Sequence, residues 1–527
     1  MKTKLFLVNI IGKDMMGMNA PLHIATLASY IIEHKILKRG EIKILSSDVD
    51  DVLEEVKHCR PSLIGFSVIS KFYNNAVELG LKIKKISKAK LLIGGSHISA
   101  LPMSLSSPFD IGIVGEGEVT LAELVKLFNK KEELLNNNLN SIKGICYKKN
   151  NKVVVTQTRP LLPPNKIPII DYSLIEKYRI IHKEIIVKDN KPQPVLMGSI
   201  YSARGCPYHC SFCAAQVIWG SQTGLRFYSI PRVVDEIEFL YKKYNVNCIN
   251  FLDDTFTVSK ERILKLIKEL KKRKLLGKII FESLYARGNL IDKEFVSLLK
   301  KLNTTSVLFG IESGSQNILD NLKNKTLTVE QVKNSVLLCA DGNIRVIGSF
   351  MLFSPNESLK DMDESIKLAS WFEKQPNSQR LSFGITIPFP GTKTWRFAIE
   401  NGYVDPTNIN WDRYFVCRTK WKFYEPFFIP KYSKKIQLLK WEEFTFLSKK
   451  VYKRQMSLPN YKKYYQEVIK YEKDIVSNHL AKNRIKYRIY RFIDEPVKTF
   501  TKLLNHPKKV FKYSVSDYLQ SLNKKIV

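Results

Sequence analysis

The chain has 527 residues, 85 lysines and arginines against 50 aspartates and glutamates, and a net charge of +35. That length corresponds to roughly two to four domains with sizeable cores, and with five of the eight cysteines standing singly it excludes a small disulfide-stapled scaffold. No run reaches the ~18 uninterrupted apolar residues of a membrane-spanning helix, and the apolar opening segment, residues 1–12, reads as a buried first strand rather than a signal peptide.

Residues 1–128 alternate apolar runs with helical periodicity. Runs at 5–11, 42–45, 63–68, 91–94 and 111–114 predict strands, and 20–33, 49–58, 74–87 and 120–128 predict the helices between them. This alternation predicts an α/β domain with a doubly wound, Rossmann-like parallel sheet. Such sheets bind ligands outside the carboxyl ends of their strands. The candidate contacts are therefore Ser67 in Gly-Phe-Ser-Val-Ile-Ser, Gly94, Gly95 and His97 in Ile-Gly-Gly-Ser-His, and Gly115 and Glu116 in Val-Gly-Glu-Gly-Glu. Paired glycines let a flat ligand lie on bare backbone, because no Cβ intrudes. Each segment alone also suits an ordinary nucleotide-binding turn, and His97 alone suits a polar loop.

Residues 129–194 are rich in proline and asparagine and predict a linker or small subdomain, with a hairpin over 142–155 turning at Asn150-Asn151 and no catalytic residue. The βα alternation then resumes over 195–400. Strands are expected at 195–201, 248–252, 279–284, 306–311, 345–352 and 381–387, with helices at 231–244, 260–273, 292–302, 328–340 and 359–373. Six such units form a partial (β/α)6 barrel of TIM type, with chemistry at the carboxyl ends of its strands. Residues 401–527 form a basic, aromatic-rich and helical C-terminal region; from Lys431 onward there are 24 basic against 8 acidic residues, +16 of the +35.

The most specific chemistry lies just after the first barrel strand, in Ala-Arg-Gly-Cys-Pro-Tyr-His-Cys-Ser-Phe-Cys (203–213). Cys206, Cys210 and Cys213 have CxxxCxxC spacing with no fourth cysteine nearby. Four thiolates fill a 4Fe-4S cluster, whereas three leave one iron open for a ligand. A zinc site with His209 as fourth ligand is the bland alternative, but His209 adjoins Cys210 and the two would have difficulty reaching one tetrahedral ion.

The spacing, with Phe212 directly before the last cysteine, resembles the signature of radical S-adenosylmethionine (SAM) enzymes. The resemblance implies Cys206, Cys210 and Cys213 as iron ligands of a 4Fe-4S cluster, with SAM chelated to the open iron and cleaved to a 5'-deoxyadenosyl radical. Other strand ends extend it. Phe251-Leu252-Asp253-Asp254 resembles the acidic element that accepts from the methionyl ammonium. Arg287 resembles a strand-end arginine meeting the carboxylate or a substrate anion, and Glu312 and Ser313 resemble ribose and carboxylate contacts. Pro388-Phe389-Pro390-Gly391-Thr392 resembles the closing Pro-x-Pro-Gly-Thr. After strand five the chain departs from Gly-x-Pro-Gly-Glu, reading Phe353-Ser354-Pro355-Asn356-Glu357.

In the first domain, Pro21-Leu22-His23 with the two glycine segments resembles the cobalamin-binding domain that precedes the radical barrel in one subclass. The Asp-x-His-x-x-Gly motif that ligates cobalt in many cobalamin domains is absent from Ile11-Gly12-Lys13-Asp14-Met15-Met16-Gly17. The resemblance thus implies a cobalamin whose lower face lacks a histidine ligand, and a methyltransferase acting on an unactivated carbon; a radical cyclase or rearrangement enzyme that transfers no methyl is the alternative.

The resemblance also implies an electron donor such as flavodoxin or ferredoxin and a small-molecule substrate. Trp395, Trp411, Tyr414, Trp421 and Phe423 either line a barrel mouth suited to an apolar or lipid-like substrate or pack as core. The basic tail reads as solvated helix faces, as a peripheral contact with anionic membrane, or, least favoured, as a nucleic-acid surface. The cytoplasm, where thiols stay reduced, is the expected setting, with membrane-peripheral attachment through the tail as a variant.

Overall fold

Short apolar runs bounded by polar turns suit a sheet covered on both faces. In the computed structural model they form β1 (Leu5–Asn9), β2 (Ile42–Ser46), β3 (Leu63–Ser67), β4 (Lys90–Gly94) and β5 (Ile111–Ile113). The helices Leu22–Glu33, Val52–Cys59, Tyr73–Ile86, Ser96–Ala100 and Glu118–Asn129 interleave with them. The structure describes residues 4–11, 20–129, 139–219, 224–414, 426–428, 434–468 and 470. Residues 12–17, Trp421, Phe423 and the basic run 486–492 lie outside them. Met1–Tyr461 forms one compact unit, and everything below concerns it.

The parallel strands run in the order β2-β1-β3-β4-β5, a doubly wound sheet whose topological switch point lies between β1 and β3. Register aligns Ser46, Asn9, Ser67 and Gly94 in one row at the carboxyl ends. The hairpin expected over 142–155 is β6 (Ile145–Lys149) and β7 (Lys152–Val155), which extends this sheet antiparallel to β5. Asn150 and Asn151 turn it at positive φ, 50° and 61°, a geometry asparagine tolerates.

The second half is the expected partial barrel. Its strands are β8 (Ile181–Lys188), β9 (Lys191–Ile200), the short ribbon β10 (Ala203–Arg204) and β11 (Arg226–Phe227), then β12 (Cys248–Phe251), β13 (Ile280–Phe281), β14 (Leu284–Ala286), β15 (Ser306–Glu312), β16 (Arg345–Leu352) and β17 (Ser378–Ile385). β9, β12, β13 with β14, β15, β16 and β17 are the six parallel barrel strands. The third is broken at Ser283, whose φ is 54°; the Phe281–Thr304 bridge joins the two resulting four-stranded sheets. β8 pairs antiparallel with β9, an added strand supplied by the segment read as linker. Side-chain caps from Ser259, Asp292, Thr328, Ser358 and Thr392 start the outer helices, each worth about 1 kcal/mol.

An open barrel leaves β17 as an edge, and edges must be covered. The helix Lys434–Met456 covers it. Ser448 Oγ donates to Leu381 O at 2.8 Å, Trp441 packs edge-on to Phe383 at 4.8 Å, and Arg454 pairs with Glu373 at 2.7 Å. The described part of the C-terminal region therefore closes the side of the barrel at β17. Trp395, Trp411 and Tyr414 are buried core, with Trp411 also packed against His97 of the first domain at 4.8 Å. No helix among the described residues is long and apolar enough to cross a membrane.

Candidate active site

The cysteine loop leaves the β10–β11 ribbon through Gly205, at φ 89°, where only glycine is unstrained. Neighbouring barrel elements hold it by its backbone. Ser211 N donates to Leu322 O at 2.9 Å, and Thr394 N and Oγ1 donate to Ser211 O at 3.1 and 3.0 Å. Asn324 donates to His209 O. Gly391, at φ 81°, lies where a Cβ would come within 2.8 Å of Val217 in the helix Ala215–Trp219 that follows Cys213. The Pro-x-Pro-Gly-Thr loop thus buttresses the cysteine segment.

Cys206, Cys210 and Cys213 are free and half-buried. His209 Nδ1 meets Gln216 Nε2 at 2.5 Å, so that imidazole is engaged outside the thiol group. Burial pushes the Cys206 thiol up to about 11, with Asp254 and Cys210 adding to the rise and the Tyr208 backbone and Arg287 opposing it. Burial likewise pushes Cys213 up to about 12. The thiols feel one another's charge, although among the described residues no group of three or more His, Cys, Asp or Glu stands at metal-ligand spacing. Loading iron must displace these thiol protons, and three reduced thiols on one short loop are a donor set that fits a cluster with one open iron.

The two adjacent aspartates after β12 face opposite ways. Asp253 is buried and accepts from Ser202 N at 2.7 Å, Ser202 Oγ at 2.5 Å and Ala203 N at 3.0 Å. Burial pushes its carboxyl up to about 6 against those hydrogen bonds; its role is to fix the chain entering the cysteine loop. Asp254 is open to solvent and accepts from Trp219 Nε1 at 2.8 Å. Its crowded surroundings raise its carboxyl, with the Trp219 and Gly205 hydrogen bonds opposing. Of the pair, it is Asp254 whose charge is felt at Cys206 and Cys213.

Arg287 is buried, with Nη1 3.7 Å from Cys210 Sγ, Nη2 bonded to Thr326 Oγ1, and the guanidinium 4.0 Å from the centroid of Tyr208. Glu312 adopts φ 64° at a bulge in the β15–β16 pairing, which turns its carboxylate back to Lys323 Nζ at 2.8 Å. Lys323 also lies 5.3 Å from the Phe212 ring centroid; burial works to lower its ammonium, but Glu312 and Cys210 hold it above its ordinary value. Ser313 Oγ is 3.0 Å from Ser365 Oγ on the helix Leu359–Lys374, so it braces that helix rather than opening into the barrel.

The first-domain residues also separate. Ser67 ends β3 at the switch point, bonded at 3.1 Å to His23 Nε2. His23 presents part of its surface to solvent, while the groups packed around its imidazole lower it to about 4 by burial. Gly94 sits beside Ser67. At Gly95, φ 99°, a Cβ would meet Val68 O at 2.5 Å, so this glycine lets β3's exit pass close by. At Gly115, φ 81°, a Cβ would meet nothing within 4 Å; this glycine borders open space. His97 is wholly buried, its nitrogens 3.1 Å from Ser70 Oγ and 3.2 Å from Ser104 Oγ, and it stacks on Tyr73 at 4.0 Å; it is placed as a core residue, off the open face. Glu116 is taken up by Arg204 and Arg226. Trp219, Arg226 and Lys323 carry no local signal in the sequence, whereas His23 stands in the quoted Pro-Leu-His start and Arg204 in the quoted Ala-Arg-Gly-Cys run, neither singled out there as a contact.

At the carboxyl ends of the parallel strands Ser67, bonded to His23, and Gly94 stand side by side and Gly115 borders open space, small groups of the kind on which a flat ligand such as a corrin can lie. Residues 200–369 match the family model of the radical SAM superfamily, and residues 16–125 that of the B12 binding domain. The chain is 30% identical over 403 residues to an uncharacterized methyltransferase, PH0819, of Pyrococcus horikoshii, covering 75% of this chain and 81% of that one. It is 27% identical over 388 residues to the anaerobic magnesium-protoporphyrin IX monomethyl ester cyclase of Rubrivivax gelatinosus, covering 72% and 66%. Its fold resembles that of the radical SAM methyltransferase TsrM of Kitasatospora setae, solved with cobalamin and a [4Fe-4S] cluster, at TM-score 0.60 and 19% identity over 76% of this chain and 75% of that one. The chain belongs to the radical SAM superfamily, in the group of enzymes whose barrel follows a B12-binding domain.

Proposed function

We propose that this protein is a cobalamin-dependent radical SAM methyltransferase acting on an unactivated carbon of a small molecule, with electrons delivered by a flavodoxin- or ferredoxin-like donor. The single observation that carries the reading is the three-thiol loop at the carboxyl end of a barrel that follows a doubly wound parallel domain. When bound, the cluster supplies the electron that cleaves SAM, and the corrin supplies a carrier for the methyl group.

Cys206, Cys210 and Cys213 hold the cluster. Asp254 accepts from the methionyl ammonium, and Arg287 offers a buried positive charge 3.7 Å from Cys210 Sγ for the carboxylate. Glu312, turned inward by its positive φ, is the ribose contact. Phe212 packs under Lys323 and fixes the loop ahead of Cys213. On the first domain, Ser67 with its partner His23, Gly94 and Gly115 face the corrin.

A second reading, a radical cyclase without methyl transfer, is favoured by the 27% identity to the protoporphyrin ester cyclase. An anaerobic assay of the reconstituted protein separates the two. Methyl transfer gives S-adenosylhomocysteine together with 5'-deoxyadenosine, whereas a cyclase gives deoxyadenosine alone.

A further inference from the structure

The chemistry above uses none of the buried charges between the two sheets. Glu116 and Glu118 follow β5, and Arg204 and Arg226 face each other across the ribbon that leads into the cysteine loop. Arg204 donates to Glu116 at 2.9 Å through Nη1 and to Glu118 at 2.6 Å through Nη2. Arg226 donates to both oxygens of Glu116, at 2.8 and 3.2 Å. Leu162 N donates to Glu116 Oε2 at 2.9 Å, and Arg226 Nη1 also donates to Leu162 O at 2.7 Å. All four charged side chains are less than a fifth exposed, Arg226 the most at 17%.

Two carboxylates against two guanidiniums balance in charge, and forked arginine contacts fix orientation as well as distance. Desolvating such a set offsets much of its attraction, so it is weak evidence for stability, and fixing one arrangement of the two domains is the role its geometry supports. The chain of contacts continues. Both guanidiniums lie 5.7 Å from the ring centroid of Trp219, whose Nε1 donates to Asp254 at 2.8 Å.

We propose that Glu116, Glu118, Arg204 and Arg226 form an interdomain latch that positions Asp254 through Trp219, so that the corrin-bearing sheet and the SAM-binding carboxylate are set by one rigid connection. This rests on the cofactor assignment above. Glu116 is then a positioning residue for the reaction, acting through Arg204 and Arg226.

Two variants test the latch in the full, cluster-loaded, cobalamin-loaded protein. Glu116→Gln removes the shared charge while keeping the shape. Dipolar electron resonance between cob(II)alamin and the singly reduced cluster reads the domain arrangement directly. The expected result is one narrow distance distribution in wild type and a distribution at least twofold broader in the variant, with SAM binding weakened several-fold. Trp219→Phe leaves the four charged side chains in place and keeps an aromatic ring beside the guanidiniums while removing the donor to Asp254; it is expected to weaken SAM binding about five-fold, the loss of one hydrogen bond, with the distance distribution still narrow. If Glu116→Gln fails to fold by circular dichroism, Trp219→Phe still decides: SAM binding equal to wild type overturns the proposal. A Glu116→Gln distribution as narrow as wild type, with SAM affinity unchanged, also overturns it and leaves the functional reading standing. A wild-type protein that loads no cobalamin overturns both.

Discussion

Lys323 and Glu312 form a buried ion pair at 2.8 Å, with side chains 8% and 9% exposed. Replacing Lys323 by Met keeps the length and apolar character of the stem but leaves the Glu312 carboxylate without its cation. Breaking a buried pair from one side costs about 3–5 kcal/mol, and the lost contact with the Phe212 ring, 5.3 Å away, adds about 0.5–1 kcal/mol. Lys323→Met is therefore expected to destabilise the metal-free protein by about 4 kcal/mol. The double variant Glu312→Gln/Lys323→Met carries no stranded charge and is expected to cost less than half of that. Guanidinium unfolding of the apoprotein followed by circular dichroism measures both. A single variant costing under about 1 kcal/mol, or a double variant costing as much as the single, would show that the penalty does not come from an uncompensated charge.

Three further outcomes are expected. A Cβ at Gly310 would come within 2.4 Å of Glu312 Oε1 and 3.2 Å of Lys323 Nζ, so Gly310→Ala should cost about 1–3 kcal/mol by overpacking and weaken SAM binding in a calorimetric titration; unchanged affinity would mean the carboxylate moves aside freely. Asp253 has its folded pKa raised from 3.8 to about 6, so its contribution to stability is present below about pH 4 and is lost as pH rises through 6, about 3 kcal/mol in all. Asp253→Asn should therefore gain on wild type by about that amount between pH 4 and 7, read from denaturant midpoints; parallel pH profiles would count against it. His23 is held near pKa 4 and stays neutral from pH 6 to 8. Hydroxocobalamin binding, followed by absorbance, should be flat over that range and about five-fold weaker in His23→Ala; a titration step near 6.5 that the variant lacks would show that His23 is not enclosed.

What the sequence made legible was local. The CxxxCxxC spacing, the 3.6-residue periodicity of the outer helices and the short apolar strand runs each lie within a few residues, and the parallel strands of the first domain and of the barrel follow from them. Long-range pairing was not legible. Glu116 meets Arg204 and Arg226 across separations of 88 and 110 residues, so a glutamate beside glycines read as a ligand contact when its charge is spent between domains. Asp253 and Asp254 are indistinguishable as letters, yet successive residues leaving a strand point to opposite sides, and one is buried while its neighbour is open. His97 read as a candidate ligand contact, or as a polar loop residue, because nothing nearby in the sequence reveals that Tyr73, Ser104 and Trp411 close over it. The strand β8 was hidden in a proline-bearing segment, because antiparallel edge strands carry weaker apolar patterns than buried parallel ones.

Whether Cys206, Cys210 and Cys213 carry radical chemistry is tested by the yield of 5'-deoxyadenosine from anaerobically reconstituted protein given SAM and dithionite, wild type beside Cys210→Ala. Wild type is expected to form deoxyadenosine and the variant none above background. A wild-type protein that holds a full complement of cluster iron and produces no deoxyadenosine would contradict that expectation.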